Sequence, residues 1–420
     1  MELDKIIKLY LVTCNSQSII VLCIIYCSLH VAYFKFISKN TKIIIGIIIV
    51  IAIIAIGYSI SNKQPAEPVS QEPIKIGFIG PMSGQAAAYG DYVKRAFQLG
   101  VDEWNTDNNL KIEAIYEDGK CAPADAVSAA NKLINVDRVN FIMTFCTGET
   151  NAVVPVTEGN KVVLLTAGTT APNIAKGQYV FRNIGSVGSG LPALTKLAYE
   201  SNKEIALISE NTDYAASSKE GFKQKYSALG GKVLFDESFD AKNLDFKTII
   251  SKLKSNNISA IFVVVQSLDN SASLFKQMKE LDYHPRIFAT EGAISDKALD
   301  KYKTEGYLDM IEGTIFVQPY FDKENYKAKH LLSLYEAKYG TTKGPIPESY
   351  LATHYDAVYL IGEAVSNIGT NPDSVKEYFL NKIKSWDGAV GKFSFDETGD
   401  AVVVIQVNIV KNGEIVPLEN

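Results

Sequence analysis

Short apolar runs alternate with amphipathic stretches along most of the chain after residue 73. The run Ile74–Gly80 is bounded by turn residues, which is typical of a strand covered on both faces. A loop with Pro81, Ser83 and Gly84 follows, and a helix is predicted from near Tyr89 because apolar or small residues recur there at helical spacing. Donors at the carboxyl end of such a strand can hold a polar or anionic ligand, although strand-loop-helix units serve many functions.

The same alternation predicts the rest of the fold. Strands are predicted at 111–116, 139–144, 162–166, 204–209, 232–235, 260–265, 286–289 and 313–317. Helices are predicted at 123–136, 189–201, 215–229, 246–255, 271–281, 325–339 and 349–368. Repeated strand-helix units indicate an α/β fold with mostly parallel sheets. The end of the chain differs, because 392–395 and 402–410, separated by turn residues, predict a hairpin.

Residues 43–60 form an uncharged apolar run that precedes this domain. The run is about 18 residues long, enough to cross the ~30 Å core of a bilayer as a helix. Lys35, Lys39 and Lys42 precede it, and positive charge stays on the cytoplasmic side, so the large domain is expected outside. A cleaved signal peptide is the alternative, but its apolar core is usually shorter. We predict a single-pass anchor at 43–60, followed by a polar linker at 61–73.

The N-terminal segment 1–42 contains a second apolar stretch at 19–34. Ser28 and His30 lie within it, and it is short for a membrane span. It is compatible with an extra membrane helix, an interfacial helix or an extension from a misassigned start codon. The lysines between 35 and 42 predict the same cell-membrane location with the large domain periplasmic or extracellular in each case.

Composition narrows the class of protein further. The roughly 350 residues after the linker exceed what one hydrophobic core usually serves, so two lobes are expected. The formal net charge is −5, and no basic run follows the apolar segment, which argues against a nucleic acid partner. Cys121 and Cys146 are the only cysteines of the exported domain. A disulfide between them is expected on the oxidising side of the membrane, with two free thiols as the alternative.

Motifs of the common enzyme classes are not found. The glycines near residue 80 do not have dinucleotide-loop spacing, and the chain contains no GxxxxGK[ST], GxSxG or HExxH sequence. The four histidines are dispersed without metal-ligand spacing. The sequence therefore predicts a binding protein rather than an enzyme, with no metal and no cofactor.

Nine short islands in a fixed order carry a resemblance to a known family. They are IKIG, PMSG, YGD, EDGKC, FCT, TAGTTAP, DY, EG and FDETGD, beginning at residues 74, 81, 89, 117, 145, 166, 213, 291 and 395. Their order resembles the branched-chain amino acid (leucine/isoleucine/valine) binding proteins of ABC importers over essentially the whole domain, 74–420. The resemblance implies the two-lobed periplasmic binding protein type I (Venus-flytrap) fold. One lobe would comprise about 74–185 and 318–387, and the other about 186–317 and 388–420.

The resemblance also implies an amino acid ligand. Its carboxylate would be bound by hydroxyl and N–H groups at Thr147 and Thr170, and its ammonium by Glu291 with the carbonyl of Gly168. The implied ligand-binding set is Ser83, Tyr89, Thr147, Gly168, Thr169, Thr170, Tyr214, Gln266 and Glu291. Cys121 and Cys146 stand at the family's disulfide positions. Without the resemblance, the threonines would be interpreted as local caps, the tyrosines as packing residues and the glutamate as surface.

Two departures from the family concern the ligand's side chain. Gln266, beside Ser267, stands where a ligand-contacting tyrosine is common, and Gly148-Glu149 replaces small hydroxyl residues. A more polar pocket could favour a polar or amide-bearing ligand over leucine. The expected function is capture of an amino acid, of branched-chain type or similar, for the permease and ATPase subunits of an ABC importer. The alternatives are a ligand-sensing ectodomain that acts through a partner receptor, a binder of a small amide or aromatic acid, and an enzyme on a similar scaffold.

Overall fold

The computed structural model describes residues 72–174 and 177–418. In these two ranges, no helix is both long enough and apolar enough to cross a membrane. The predicted anchor at 43–60, the segment 1–42 and nearly all of the linker lie outside the described residues.

The first sheet has five parallel strands in the order β2-β1-β3-β4-β5. The strands are β1 (Ile74–Gly80), β2 (Ile112–Asp118), β3 (Phe141–Thr144), β4 (Val163–Thr166) and β5 (Val180–Arg182). Every residue of β3, β4 and β5 is buried, because helices cover both faces of the sheet.

The second sheet has seven strands in the order β15-β14-β10-β9-β8-β6-β7. Its parallel strands are β6 (Glu204–Glu210), β7 (Lys232–Phe239), β8 (Ala260–Val264), β9 (Arg286–Thr290) and β10 (Ile315–Pro319). A small third sheet contains β11 (Trp386–Gly388), β12 (Gly391–Phe395) and β13 (Ala401–Val402). The chain then returns to the second sheet as β14 (Ile405–Lys411), antiparallel to β10, and β15 (Glu414–Pro417).

Helices connect these strands. In chain order they are α1 (Ala87–Asp107), α2 (Pro123–Lys132), α3 (Thr147–Asn160), α4 (Val187–Ser201), α5 (Asp213–Ala228), α6 (Lys247–Ser255), α7 (Leu268–Glu280), α8 (Asp296–Thr304), α9 (Tyr326–Tyr339), α10 (Ser349–Ile368) and α11 (Pro372–Lys382). The element order and the two sheets give the two-lobed α/β architecture that the sequence predicts.

The predicted hairpin near the end of the chain is only partly correct. Residues of β12 and β13 pair in an antiparallel manner, with Phe395 opposite Ala401. The rest of the predicted second strand leaves this pair and joins β10 instead. The turn between them is held to the first sheet, because the buried Arg182 guanidinium donates to both carboxylate oxygens of Asp400 at 2.9 and 2.7 Å. The last residue of the island FDETGD is Asp400, which therefore joins this turn to the first sheet.

Predicted strands and helices correspond to observed ones with shifts of a few residues at their ends. The prediction missed α3, whose sequence TGETNAVVPVTEGN contains Pro155 and shows little separation of apolar and polar faces. It also missed the short strands β5, β11 and β15 and the helices α8 and α11. The first residue of α3 is Thr147, one of the predicted ligand-binding residues.

Candidate functional site

The carboxyl ends of two neighbouring strands form one wall of the site. Phe145, Cys146 and Thr147 follow β3, and Gly168 to Thr170 follow β4, which lies beside β3. Gly168 is required here, because a Cβ atom would lie 2.3 Å from the Phe145 ring and 2.8 Å from the Phe145 carbonyl oxygen. Ligands of parallel α/β sheets bind at these ends.

The second sheet supplies the opposite wall in the same way. Glu210 ends β6, Gln266 follows β8 after one residue, and Glu291 comes directly after β9. Gly292 allows the backbone to turn, since a Cβ atom there would lie 1.9 Å from the carbonyl oxygen of Val265. Polar side chains at three adjacent strand ends therefore face the first wall.

A cavity of about 50 Å³ lies between the two walls. Its lining residues are Tyr89, Phe145, Cys146, Thr147, Gly168, Thr170, Tyr214, Gln266, Glu291, Gly292, Ile346 and Tyr350. One water needs roughly 10–15 Å³ on the same scale, so the closed cavity holds only a small ligand or a few waters. All of the predicted ligand-binding residues except Ser83 and Thr169 line it.

Ser83 and Thr169 lie beside the cavity rather than in its lining. The exposed Ser83 hydroxyl donates to the Asp118 carboxylate at 2.5 Å. The Thr169 hydroxyl is buried and lies 2.6 Å from the Thr147 hydroxyl. These contacts position the loop after β1 and the side chain of Thr147.

Glu291 is the charged group of the cavity and is only 2% exposed. Its Oε1 accepts hydrogen bonds from the hydroxyls of Thr170 at 2.5 Å and Tyr350 at 3.2 Å. Its Oε2 is buried and has no hydrogen-bond partner among the described residues. Burial raises the pKa of this carboxyl group, and the hydrogen bond from Thr170 opposes the rise. A buried carboxylate with one free oxygen is suited to bind a cationic group.

Hydrogen bonds join the walls directly. Thr170, after β4 of the first sheet, reaches Glu291, after β9 of the second. The Tyr89 hydroxyl accepts a hydrogen bond at 2.9 Å from the backbone N–H of Leu268, the first residue of α7. Tyr214 lines the cavity, and its hydroxyl donates to Thr290 at 2.9 Å. The structure is thus a closed form in which both lobes surround the cavity.

A covalent and hydrogen-bonded clamp holds the start of α3. Cys121 and Cys146 are paired as a disulfide, with their Cα atoms 5.3 Å apart. Glu149 is fully buried, and its two oxygens accept from the N–H groups of Cys121 at 2.9 Å and Cys146 at 3.0 Å. Burial raises the pKa of Glu149 to about 7, and the hydrogen bonds from these N–H groups oppose it. Thr147, the first residue of α3, is fixed where the helix N-terminus favours an anion.

Cys121, Cys146 and Glu149 are also potential metal ligands, because their sulfur and carboxylate oxygen atoms lie within 4.8 Å of one another. Because the two sulfur atoms are bonded to each other, they offer no thiolate to a metal ion. The cluster therefore supports the helix end.

Sequence reasoning missed five lining residues, namely Phe145, Cys146, Gly292, Ile346 and Tyr350. Tyr350 lies near the start of α10, in a segment predicted as an ordinary buried helix, and is separated from Glu291 by 59 residues. Phe145 is part of the island FCT, which was the available signal for its place in the site. No local pattern connects these side chains with the strand ends that they face.

Two α/β lobes closed over a small cavity that contains one buried carboxylate and several hydroxyl groups define a two-lobed ligand-binding protein. The chain belongs to the periplasmic binding protein family, whose profile matches residues 73–413. This confirms the family resemblance seen in the sequence, and the family is a class of solute-binding proteins rather than enzymes.

Named relatives agree with this assignment. The leucine-, isoleucine-, valine-, threonine- and alanine-binding protein of Pseudomonas aeruginosa is 26% identical over 341 residues, covering 79% of this chain and 88% of the relative. The solved leucine binding protein LivK of Thermotoga maritima has a TM-score of 0.72 at 28% identity, covering 82% of this chain and 98% of that one. LivJ of Streptococcus pneumoniae, solved with isoleucine, has a TM-score of 0.71 at 25% identity, with the same coverage.

Proposed function

We propose that this chain is an extracytoplasmic solute-binding protein that captures an α-amino acid and delivers it to an ABC importer. The observation that carries the proposal is the free, buried Oε2 atom of Glu291 in a cavity also lined by Thr147, the first residue of α3. A carboxylate near one end and a helix N-terminus near the other complement the two charges of an amino acid. The names of the relatives, which bind leucine, isoleucine and valine, support the same class of ligand.

Both lobes would bind the ligand. Glu291 of the second lobe would pair with the ammonium, with the Gly168 carbonyl of the first lobe as a second acceptor. Thr147 and the backbone N–H of Thr170 would donate to the carboxylate, because the Thr170 hydroxyl already donates to Glu291. Because groups of both lobes contact the ligand, the ligand binds the closed form more tightly and shifts the hinge equilibrium toward it.

The location of the protein follows from its N-terminal sequence. We infer that residues 43–60 anchor the chain in the cell membrane as a single span and that 61–73 link the anchor to the domain. Three lysines just before the apolar run support an extracytoplasmic domain. The domain would divide into lobes at about 74–185 with 318–387 and 186–317 with 388–420. Tethering would keep the domain near the permease that receives the ligand, and the ATPase subunits would act on the permease from the cytoplasmic side.

Other roles are less well supported. A sensory ectodomain would use the same site and would differ only in its partner. A benzoate-like acid or a neutral amide lacks the cation that a buried carboxylate requires. Capture and release require no chemical step, and the cavity walls carry no activated nucleophile.

Calorimetry with ligand analogues tests the proposal on the full-length chain in detergent. Leucine has both charged groups, leucinamide lacks the carboxylate, and 4-methylpentanoate lacks the ammonium. We expect an amino acid to bind, with each analogue weaker by about 100-fold or more, because each leaves one buried group of the site unpaired. Equal binding of 4-methylpentanoate and the best amino acid would contradict the proposal.

A further inference from the structure

A second cavity, of about 330 Å³, lies beside the closed one. Tyr89, Cys146 and Gln266 line both cavities, which therefore adjoin at these three residues. The second cavity is several times larger than the first and has the size of ordinary small-molecule sites. A ligand held at Glu291 would reach the second cavity with a longer side chain that passes these residues.

Glu210 places a buried carboxylate in the second cavity. It is the last residue of β6 and is only 3% exposed. Its Oε2 accepts hydrogen bonds from the backbone N–H groups of Gln266 at 2.7 Å and Ser267 at 3.0 Å. In the part of the chain that the structure covers, no residue donates to its Oε1. The side chain is thus fixed by two hydrogen bonds and presents a free oxygen to the cavity that it lines.

Gln266 lies between the two carboxylates. It is half-buried, and its side-chain amide forms no hydrogen bond within residues 72–174 and 177–418. The amide can donate and accept at the same time. It is therefore available to a polar group that passes from the first cavity to the second.

The spacing of the strand ends sets the length of a suitable ligand. Glu291, Gln266 and Glu210 come from β9, β8 and β6, which are consecutive in the sheet. Neighbouring strands are about 4.8 Å apart, so the backbones at the two glutamates lie roughly 10 Å apart. An extended glutamine places its two nitrogen atoms roughly 6 Å apart, and with a hydrogen bond of about 2.9 Å at each end it spans roughly 12 Å, which is comparable with this spacing.

The other charged residues of the second cavity favour a ligand side chain that ends in a hydrogen-bond donor over one that ends in an acceptor. The amino group of Lys120 is already paired with Asp125 at 2.8 Å. Asp213 adds a second carboxylate and, among the residues that the structure describes, accepts only a long hydrogen bond of 3.4 Å from the Asn151 amide. The charge available to a ligand is therefore negative, which would repel a side chain that ends in a carboxylate.

We propose that the ligand is an α-amino acid whose side chain ends in a hydrogen-bond donor, which Gln266 and Glu210 bind in the second cavity. The donor is a carboxamide or a cationic group. This inference rests on the proposed function, because the pairing of Glu291 with the ammonium fixes the other end of the ligand.

Matched amino acids test the inference by calorimetry on the full-length chain. Leucine, asparagine and aspartate share one branching pattern and nearly one size, and methionine, glutamine and glutamate have side chains of nearly one length. We expect asparagine or glutamine to bind about 10- to 100-fold tighter than its apolar counterpart, as for a hydrogen bond to a charged group, with the acidic counterpart weakest. Lysine distinguishes the cation from the carboxamide: tightest binding of lysine supports a cationic side chain, and tightest binding of glutamine supports an amide.

Two variants test whether Gln266 and Glu210 cause the preference for a side chain that ends in a donor. Gln266→Leu should bring the affinities for glutamine and methionine within about threefold of each other. Glu210→Gln should weaken the binding of lysine or glutamine and leave the binding of methionine nearly unchanged. The melting temperature of the ligand-free variant shows whether the variant folds. Gln266→Leu alone is sufficient if Glu210→Gln does not fold, because Gln266 makes no side-chain hydrogen bond in the described parts of the chain.

The outcomes separate this inference from the proposed function. Leucine or methionine as the tightest ligand overturns the donor-binding subsite and leaves the amino acid role intact. An unchanged preference in Gln266→Leu also overturns it. Binding of 4-methylpentanoate as tight as that of any amino acid removes the proposed function together with the inference.

Discussion

Replacing Glu291 with glutamine tests the central charge pair of the site. The substitution keeps the shape of the side chain, and the remaining carbonyl oxygen can still accept from Thr170 and Tyr350, as Oε1 does now. The new NH₂ group would occupy the place of Oε2, which is buried and unpartnered among the described residues. The ligand's ammonium would then face a donor instead of a negative charge.

The expected magnitude follows from the burial of Glu291, which is 2% exposed. Removing one partner of a buried ion pair costs about 3–5 kcal/mol. At about 1.4 kcal/mol per tenfold change, affinity should fall by roughly two to three and a half powers of ten. The ligand-free protein should melt at the same temperature or higher, because the variant no longer buries a carboxylate without a full set of partners.

Calorimetry with the tightest-binding amino acid measures this loss of affinity. The pH dependence of the affinity is an independent test. Burial raises the pKa of Glu291, so the parent should lose affinity as pH falls and the carboxylate becomes protonated. Glu291→Gln should lack this dependence. Glu397→Gln, in an exposed turn, is the matched control and should bind like the parent. Binding by Glu291→Gln within about threefold of the parent would refute the ion pair, since a buried pair is worth far more.

The remaining predictions concern the clamp, the hinge and the membrane anchor. Reduction of the Cys121–Cys146 disulfide, which closes a loop with a sequence separation of 25, should lower the free energy of unfolding by roughly 3–3.5 kcal/mol, and chemical denaturation with and without reductant measures it. Glu149→Gln should cost about 1–3 kcal/mol in the same assay, because one backbone N–H loses its acceptor. Burial raises the pKa of Glu149 to about 7, so the unfolded state ionises first and the stability of the parent should fall as pH rises toward 7, a slope that Glu149→Gln should reduce. Small-angle scattering should show a smaller radius of gyration with ligand than without it, and an unchanged radius would contradict hinge closure. The full-length chain should sediment with membranes after alkaline extraction, whereas a chain without residues 1–60 should remain in the supernatant, and equal partitioning of both would exclude the anchor.

Local patterns were sufficient to predict most elements of this fold. The strand β1 and the helices α1 and α10 are predicted near their observed ends, because each buries an apolar face with its own period. Helix α3 could not be predicted in this way, because its start is specified by the disulfide and by Glu149 rather than by an apolar stripe. Local patterns also did not predict the strand pairing at the end of the chain, since β14 could pair with β12, as predicted, or with β10, as observed.

The sequence by itself determined the class of protein, because the order of the islands and the alternation of strands and helices are properties that can be read along one chain. It also indicated most of the residues that line the closed cavity. Only the tertiary structure brought Tyr350 to Glu291 and left one oxygen of that carboxylate without a partner among the described residues. It also placed Glu210 behind Gln266, which suggests a polar side chain for the ligand. The physical reason is that these contacts join strand ends and helices far apart in sequence, such as Thr170 and Glu291, 121 residues apart, whose proximity depends on how the two sheets close.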